Sequence, residues 1–366
     1  MADTRFTGLG LSGSGKTCYV LGMYYEMCVG LRGFTLTTTN QTASKLENWM
    51  DELDEKSGKE RFPAGTSLTE FTNYSFMLNY HNEPIMSFDW NDYGGRTLHS
   101  REDNQEVFEK INDSIDTSTA LYIFVDGDLM CKGEKHCQNK EQIKQDRMKR
   151  LNNVKRKCAR SINSYISSFV SSHEEALPPI IFVITKADLC KDYLEDGEME
   201  DILKEAFSSV FGKGTIVYAV AVSLGNNISD DNYSGEVEPV NIHIPFFLGI
   251  FHEFLNRCLG IKKYLDRENN HARETISQCQ SAIDHENNRW FFTDYNRINQ
   301  CAKQIQAENL NIAENEKQLQ KYRTLLNAVA NELVRSSAFF KMFLDGKETE
   351  FTPPRSEEHT SELQSH

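Results

Sequence analysis

Residues Gly10-Leu11-Ser12-Gly13-Ser14-Gly15-Lys16-Thr17 satisfy the phosphate-binding pattern G-x-x-x-x-G-K-[ST] and lie between a short extended run and a helix-like one. Gly13 and Gly15 let successive backbone N–H groups converge on an anion without Cβ clashes. The helix that follows turns its positive N-terminus to the same anion. Lys16 would reach the β- and γ-phosphates, and Thr17 would offer its hydroxyl to Mg²⁺. Gly10, Ser12, Ser14 and Cys18 complete the phosphate-binding stretch. The chemistry expected here is the binding of a nucleoside triphosphate with its magnesium ion.

A phosphate loop does not choose between ATP and GTP. The choice falls to Thr185-Lys186-Ala187-Asp188, which follows the apolar run Ile180–Ile184 and fits [NT]-K-x-D. Only guanine displays adjacent N1–H and N2–H donors, and a carboxylate such as Asp188 accepts both at once. The Lys186 stem would lie along the base, and Thr185 would tie this loop to the phosphate loop. Were Asp188 accidental, an ATPase would be the reading.

Two further pieces fall in order. Asp92-Tyr93-Gly94-Gly95 fits D-x-x-G, in which the Asp holds Mg²⁺ through water and the last Gly gives an N–H to the γ-phosphate. Asp89 competes for the Asp role, since it too lies near the end of the run Ile85–Asn91. Ser223-Leu224-Gly225 follows the run Ile216–Val222 and could meet the guanine carbonyl oxygen.

The elements that must position these groups alternate between apolar extended runs and helix-like stretches. That pattern predicts an α/β fold, a three-layer sandwich with a mostly parallel sheet. Strands are expected at Arg5–Leu11, Phe71–Asn79, Ile85–Asn91, Ala120–Asp126, Ile180–Thr185 and Ile216–Val222. The continuous hydrophobicity of Ala120–Val125 and Ile180–Ile184 predicts central strands buried on both faces. The basic stretch Lys144–Arg160 reads as a solvated helix face.

From Ile261 to Asp345 there is neither Gly nor Pro, and Ile305, Ile312, Leu319, Leu326, Leu333 and Phe340 recur every seven residues, with Tyr322, Val329 and Phe343 on the companion seam. A helical hairpin or coiled coil is expected over residues 261–346, with a break near Asn287–Asp294, because an unbroken helix of that length would span roughly 130 Å. Glu308 and Asn315 on the companion seam weaken the coiled-coil version. The nucleotide-binding domain is expected over residues 1–260, and residues 347–354 as a linker.

The chain of 366 residues carries a formal net charge of −14, with a mean hydropathy of −0.55. An acidic surface repels phosphates, so no general nucleic-acid or anionic-membrane binding is expected. No apolar run approaches a membrane span and the start shows no signal peptide, which points to the cytoplasm. The nine cysteines form no C-x-x-C pair and read as reduced thiols; Cys131, His136 and Cys137 lack the second pair that zinc spacing needs. Arg355 to His366, RSEEHTSELQSH, reads as a translated sequencing adapter, which would put the natural C-terminus elsewhere. Arg355 against Glu357, Glu358 and Glu362 gives that tail −2, so the rest carries −12.

The phosphate loop, D-x-x-G, T-K-x-D and the Ser223 turn resemble the GTPase superclass of phosphate-loop proteins over about residues 1–260. The stretches Trp90–Gly95, Phe62–Thr66, Val222–Gly225 and Pro239–Pro245 are similar to bacterial TRAFAC-clade GTPases, including the double-GTPase type. The resemblance makes Thr66 the switch threonine that senses the γ-phosphate through Mg²⁺, with Thr35 to Thr39 as alternatives. Arg96 stands where small GTPases place a water-orienting glutamine; it implies either slow intrinsic hydrolysis or a guanidinium that stabilises transition-state charge, and it could equally be a surface residue. The resulting expectation is a GTP/GDP switch with Mg²⁺ as cofactor. Its helical region would transmit the nucleotide state to a protein partner or a second copy. The alternative is a weakly hydrolysing GTP-binding scaffold.

Overall fold

The computed structural model describes residues 4–63, 71–93, 105–135, 139–172, 177–226, 228, 237–289 and 294–353. Two compact units result, one built up to His252 and again from Glu332, the other Glu253–Asn331.

The first unit is organised by a nine-stranded sheet. Its parallel centre holds β1 (Thr4–Leu9), β4 (Glu83–Tyr93), β5 (Ala120–Asp126), β6 (Ile180–Thr185) and β7 (Ile216–Ala221), in the order β4-β1-β5-β6-β7. Antiparallel strands extend both edges: β3 (Phe71–Tyr80) and β2 (Phe34–Thr38) beyond β4, then β8 (Phe340–Leu344) and β9 (Lys347–Thr349) beyond β7. All five central strands are apolar runs that the sequence predicts, and β5 and β6 are buried almost throughout. The first strand ends at Leu9, so Gly10 and Leu11 already belong to the loop.

Alternation along β5 divides the core into two layers. Tyr122 and Phe124 face α1 (Lys16–Val29) and the aromatic cluster of Phe6, Trp90 and Tyr19. Leu121, Ile123 and Val125 face the opposite layer, where α3 (Gln105–Asp116), α4 (Lys140–Val154), α5 (Arg160–Ser172) and α7 (Glu198–Ala206) pack. Between β2 and β3 lies α2 (Asn40–Glu55), and α6 (Ala187–Cys190) is a single turn after β6. The basic stretch is not uniformly solvated: Arg150 is 2% exposed and Asp146 is buried beside it.

Two long helices, α8 (His243–Asn287) and α9 (Tyr295–Arg335), make up the rest, and the expected break falls where one ends and the other begins. Within the second unit, Asn269 meets Asn315 at 3.3 Å, Cys279 meets Gln304 at 3.5 Å and Glu286 meets Arg297 at 3.4 Å. These pairs converge on the connection, so the helices run antiparallel. The seven-residue spacing does not carry a helix to 346. Phe340 and Phe343 belong to β8, whose buried Phe340, Met342 and Phe343 join the sheet, and the Asp345-Gly346 turn at positive φ leads into β9. Among the described residues no helix is long and apolar enough to cross a membrane.

Candidate functional site

The loop from Gly10 to Gly15 joins β1 to α1. Gly13 and Gly15 both sit at φ +81°, the left-handed region that glycine tolerates. Gly10 is required for another reason: a Cβ there would lie 2.5 Å from Ser14 Oγ and 2.8 Å from Phe124 Cβ. Among the described residues no side chain caps α1, so the N–H groups of its first turn are directed at the loop. The Lys16 ammonium donates to the carbonyls of Gly10 at 2.8 Å and Leu11 at 3.2 Å, curling back over the loop.

Parallel pairing of β1 with β4 sets Gly8 beside Asp92, which brings the end of β4 to the foot of the phosphate loop. There Thr17 Oγ1 donates to Asp92 Oδ2 at 2.7 Å. Burial pushes the Asp92 carboxyl above its usual range, against the pull of Lys16, Thr17 and Lys45. Burial likewise pushes the Lys16 ammonium down, against the attraction of Asp92. Asp92 Oδ1 and Ser14 Oγ are buried with no hydrogen-bond partner among the described residues. Asp89, three residues earlier and so on the other face of β4, accepts instead from Ser75 Oγ at 2.7 Å.

The second loop meets the first. Thr185 Oγ1 donates to the Ser14 carbonyl at 2.9 Å, and a Cβ on Gly15 would come 3.0 Å from Thr185 Cγ2. Lys186, at φ +53°, donates to Asp126 Oδ2 at 2.8 Å and to the Gly13 carbonyl at 3.2 Å. Asp188 Oδ1 accepts from Ser223 Oγ at 2.9 Å, and the Gly225 N–H donates to that same hydroxyl oxygen at 3.0 Å. The Ser223 side chain therefore holds the carboxylate, a role the sequence did not suggest. Leu224 packs on α1, where a Cβ at Gly22 would be 2.5 Å from its Cδ2. Beside Asp188 opens a cavity of about 410 Å³, lined by Cys131, Lys135, Asp192, Tyr193 and Asn226 among others.

Sequence reading missed Asp126 and Gly127. Asp126 is the ion-pair partner of Lys186. Gly127 lies so close to the Thr185 and Lys186 carbonyls that a Cβ would stand 2.5 and 2.9 Å from them. The available signal was an Asp-Gly pair at the end of a buried strand. Ser12 lies in the loop and Cys18 in the first turn of α1, where burial pushes its thiol up to about 11. Thr35 to Thr38 lie on β2 or at its end, and Thr39 caps α2 by accepting from the Thr42 N–H. Thr66, Gly95 and Arg96 lie outside the described residues, as do His136 and Cys137.

A family model described as Double-GTPase 1 matches residues 8–195, from the end of β1 through the phosphate loop, Asp92 and the T-K-x-D loop. No curated protein matches the chain. The match covers just over half of the 366 residues and stops short of the Ser223 turn and both long helices. A domain of this kind binds GTP, and the two loops that meet at Thr185 and Ser14 are where the chain holds the motifs for it. The chain belongs to the Double-GTPase 1 family.

Proposed function

We propose that the protein is a Mg²⁺-dependent, GTP-hydrolysing switch of the cytoplasm whose nucleotide state is coupled to its C-terminal helices. The observation that carries this reading is the 2.7 Å contact of Thr17 with Asp92, whose second carboxylate oxygen has no partner among the described residues. A hydroxyl and a carboxylate oxygen side by side in a part-buried place are the hard oxygen donors a magnesium ion takes. Bound there, the ion would neutralise charge building on the phosphates. Gly10 to Cys18 bind the phosphates, with Lys16 on the β- and γ-groups. Thr185, Lys186 and Asp188 bind the base, with Ser223 and Leu224 behind them. Thr66 senses the γ-phosphate, the Gly95 N–H holds it, and Arg96 stabilises charge in the transition state.

Coupling is supported by how the helices are rooted. Helix α1, which begins at Lys16, carries Glu26, and its carboxylate approaches His243 Nδ1, at the start of α8, to 3.2 Å. At the other end the chain returns from α9 into β8 beside β7. Both stems of the hairpin therefore belong to the GTPase unit, and its tip is the place for a partner or a second copy.

Turnover of GTP with and without Mg²⁺, in the wild type and in Lys16→Ala, tests the reading. GTP binding should weaken strongly in the variant and hydrolysis should require the metal. Competition of ATP against labelled GTP should leave the GTP bound. Unchanged GTP affinity in Lys16→Ala, or displacement by ATP, would overturn the proposal.

A further inference from the structure

Helix α4 turns one side onto the main chain that follows β5. Asp146, Arg150 and Asn153 are spaced four and three residues apart and share a helix face. Asp146 Oδ2 accepts the Glu134 N–H at 3.1 Å, Arg150 Nη1 donates to the Lys132 carbonyl at 2.7 Å, and Asn153 Nδ2 donates to the Leu129 carbonyl at 2.7 Å. Gly133, at φ +101°, lets the chain pass this close, since a Cβ there would stand 2.3 Å from the Asp146 carboxylate.

Arg150 reaches further. Its Nε and Nη2 form a bidentate pair with Glu198 at 2.8 and 2.9 Å, with both side chains nearly inaccessible. Glu198 Oε2 in turn accepts the Glu195 N–H at 3.0 Å. One buried ion pair thus holds the main chain at two points, the Lys132 carbonyl and the Glu195 N–H.

The chain on either side of these two points walls the cavity beside Asp188, with Cys131 and Lys135 on one side and Asp192 and Tyr193 on the other. Lys135 spans the walls, 3.5 Å from Asp192 and 5.0 Å from the Tyr193 ring centroid. The first wall runs back to Gly127, against the carbonyls of Thr185 and Lys186; the Cys131 thiol donates to the Gly127 carbonyl at 3.4 Å. The second wall continues directly from α6, which carries Asp188. A buried ion pair gives little net stability over apolar residues of the same size, so its distinctive effect is geometric.

We infer that Arg150 and Glu198 are positioning residues for guanine recognition: by gripping both walls they fix the loop that presents Asp188, and so set discrimination for the guanine 2-amino group. The inference rests on Asp188 being the base reader. Its readout is the ratio of equilibrium dissociation constants for inosine triphosphate, which lacks that amino group, and GTP. In Arg150→Met/Glu198→Met, which keeps the volume buried but removes both main-chain anchors, the ratio should fall by about tenfold or more. Asn153→Ala loosens the same wall without touching a charge and should lower the ratio by about threefold. A purely structural pair would leave the ratio alone, whatever the melting temperature does. Ratios equal to the wild type's in both variants overturn the inference, and if the double variant does not fold, Asn153→Ala decides by the same ratio. A wild type that does not discriminate would instead overturn the reading of Asp188, and this inference with it.

Discussion

Thr17 and Asp92 are 75 positions apart in the chain, yet the threonine hydroxyl donates to the aspartate carboxylate at 2.7 Å. Asp89 occupies the other face of the same strand and serves Ser75. Asp92→Ala should therefore abolish Mg²⁺-dependent hydrolysis while costing GDP binding only moderately, because metal and γ-phosphate matter most in the triphosphate state. Asp89→Ala should keep hydrolysis and lose about 1 kcal/mol of stability with the Ser75 hydrogen bond. Single-turnover rates and thermal melts of the two variants would show the split, and equal rates would exchange the roles.

Asp188 Oδ1 accepts a hydrogen bond from Ser223 Oγ at 2.9 Å. Asn in its place can both donate and accept, which matches xanthine, with its N1–H and C2 carbonyl, better than guanine. Asp188→Asn should lose GTP affinity and gain affinity for xanthosine triphosphate. Direct titration with both nucleotides measures this; a retained preference for GTP would remove Asp188 from base recognition.

What the sequence revealed follows from how local each signal is. Strands β5 and β6 are buried on both faces and so read as almost unbroken apolar runs, and the phosphate loop is contiguous. Strand β2, FTLTT, is short and amphipathic, and only its pairing with β3 makes it a strand. At Phe340 and Phe343 a seven-residue repeat and a strand partly coincide, and the Asp345-Gly346 turn was the deciding signal. Arg150 looked like one charge among many in a basic helix, because its partner Glu198 lies 48 residues away and nothing local marks it as buried.

Gly127 gives a prediction that only the fold supplies. Alanine there would place a methyl 2.5 Å from the Thr185 carbonyl and 2.9 Å from that of Lys186, and neither backbone atom can rotate away. Gly127→Ala should destabilise the protein by about 1–3 kcal/mol, the usual cost of overpacking. It should also weaken GTP binding, since the displaced carbonyls belong to the T-K-x-D loop proposed to bind the base. Chemical denaturation and GTP titration check the two halves; wild-type behaviour in both would show that this contact can relax.

The last prediction concerns acid. His252 is buried against Tyr218, with 2.8 Å between the tyrosine oxygen and His252 Nε2, and burial pushes the imidazole from its ordinary 6.5 down to about 4. Burial pushes the Tyr218 phenol up, so its hydroxyl stays protonated and able to donate to a neutral imidazole. A base whose folded pKa lies below its unfolded value binds a proton more readily in the unfolded chain. Its contribution to stability is full above 6.5, falls as the pH drops from there toward 4, and changes no further below that. The whole effect is on the order of 3 kcal/mol, from the size of the shift. Urea midpoints taken between about pH 7 and pH 5 should fall steeply in the wild type and less steeply in His252→Gln, which keeps a polar group without the titration. Parallel curves for the two proteins would show that the acid sensitivity arises elsewhere.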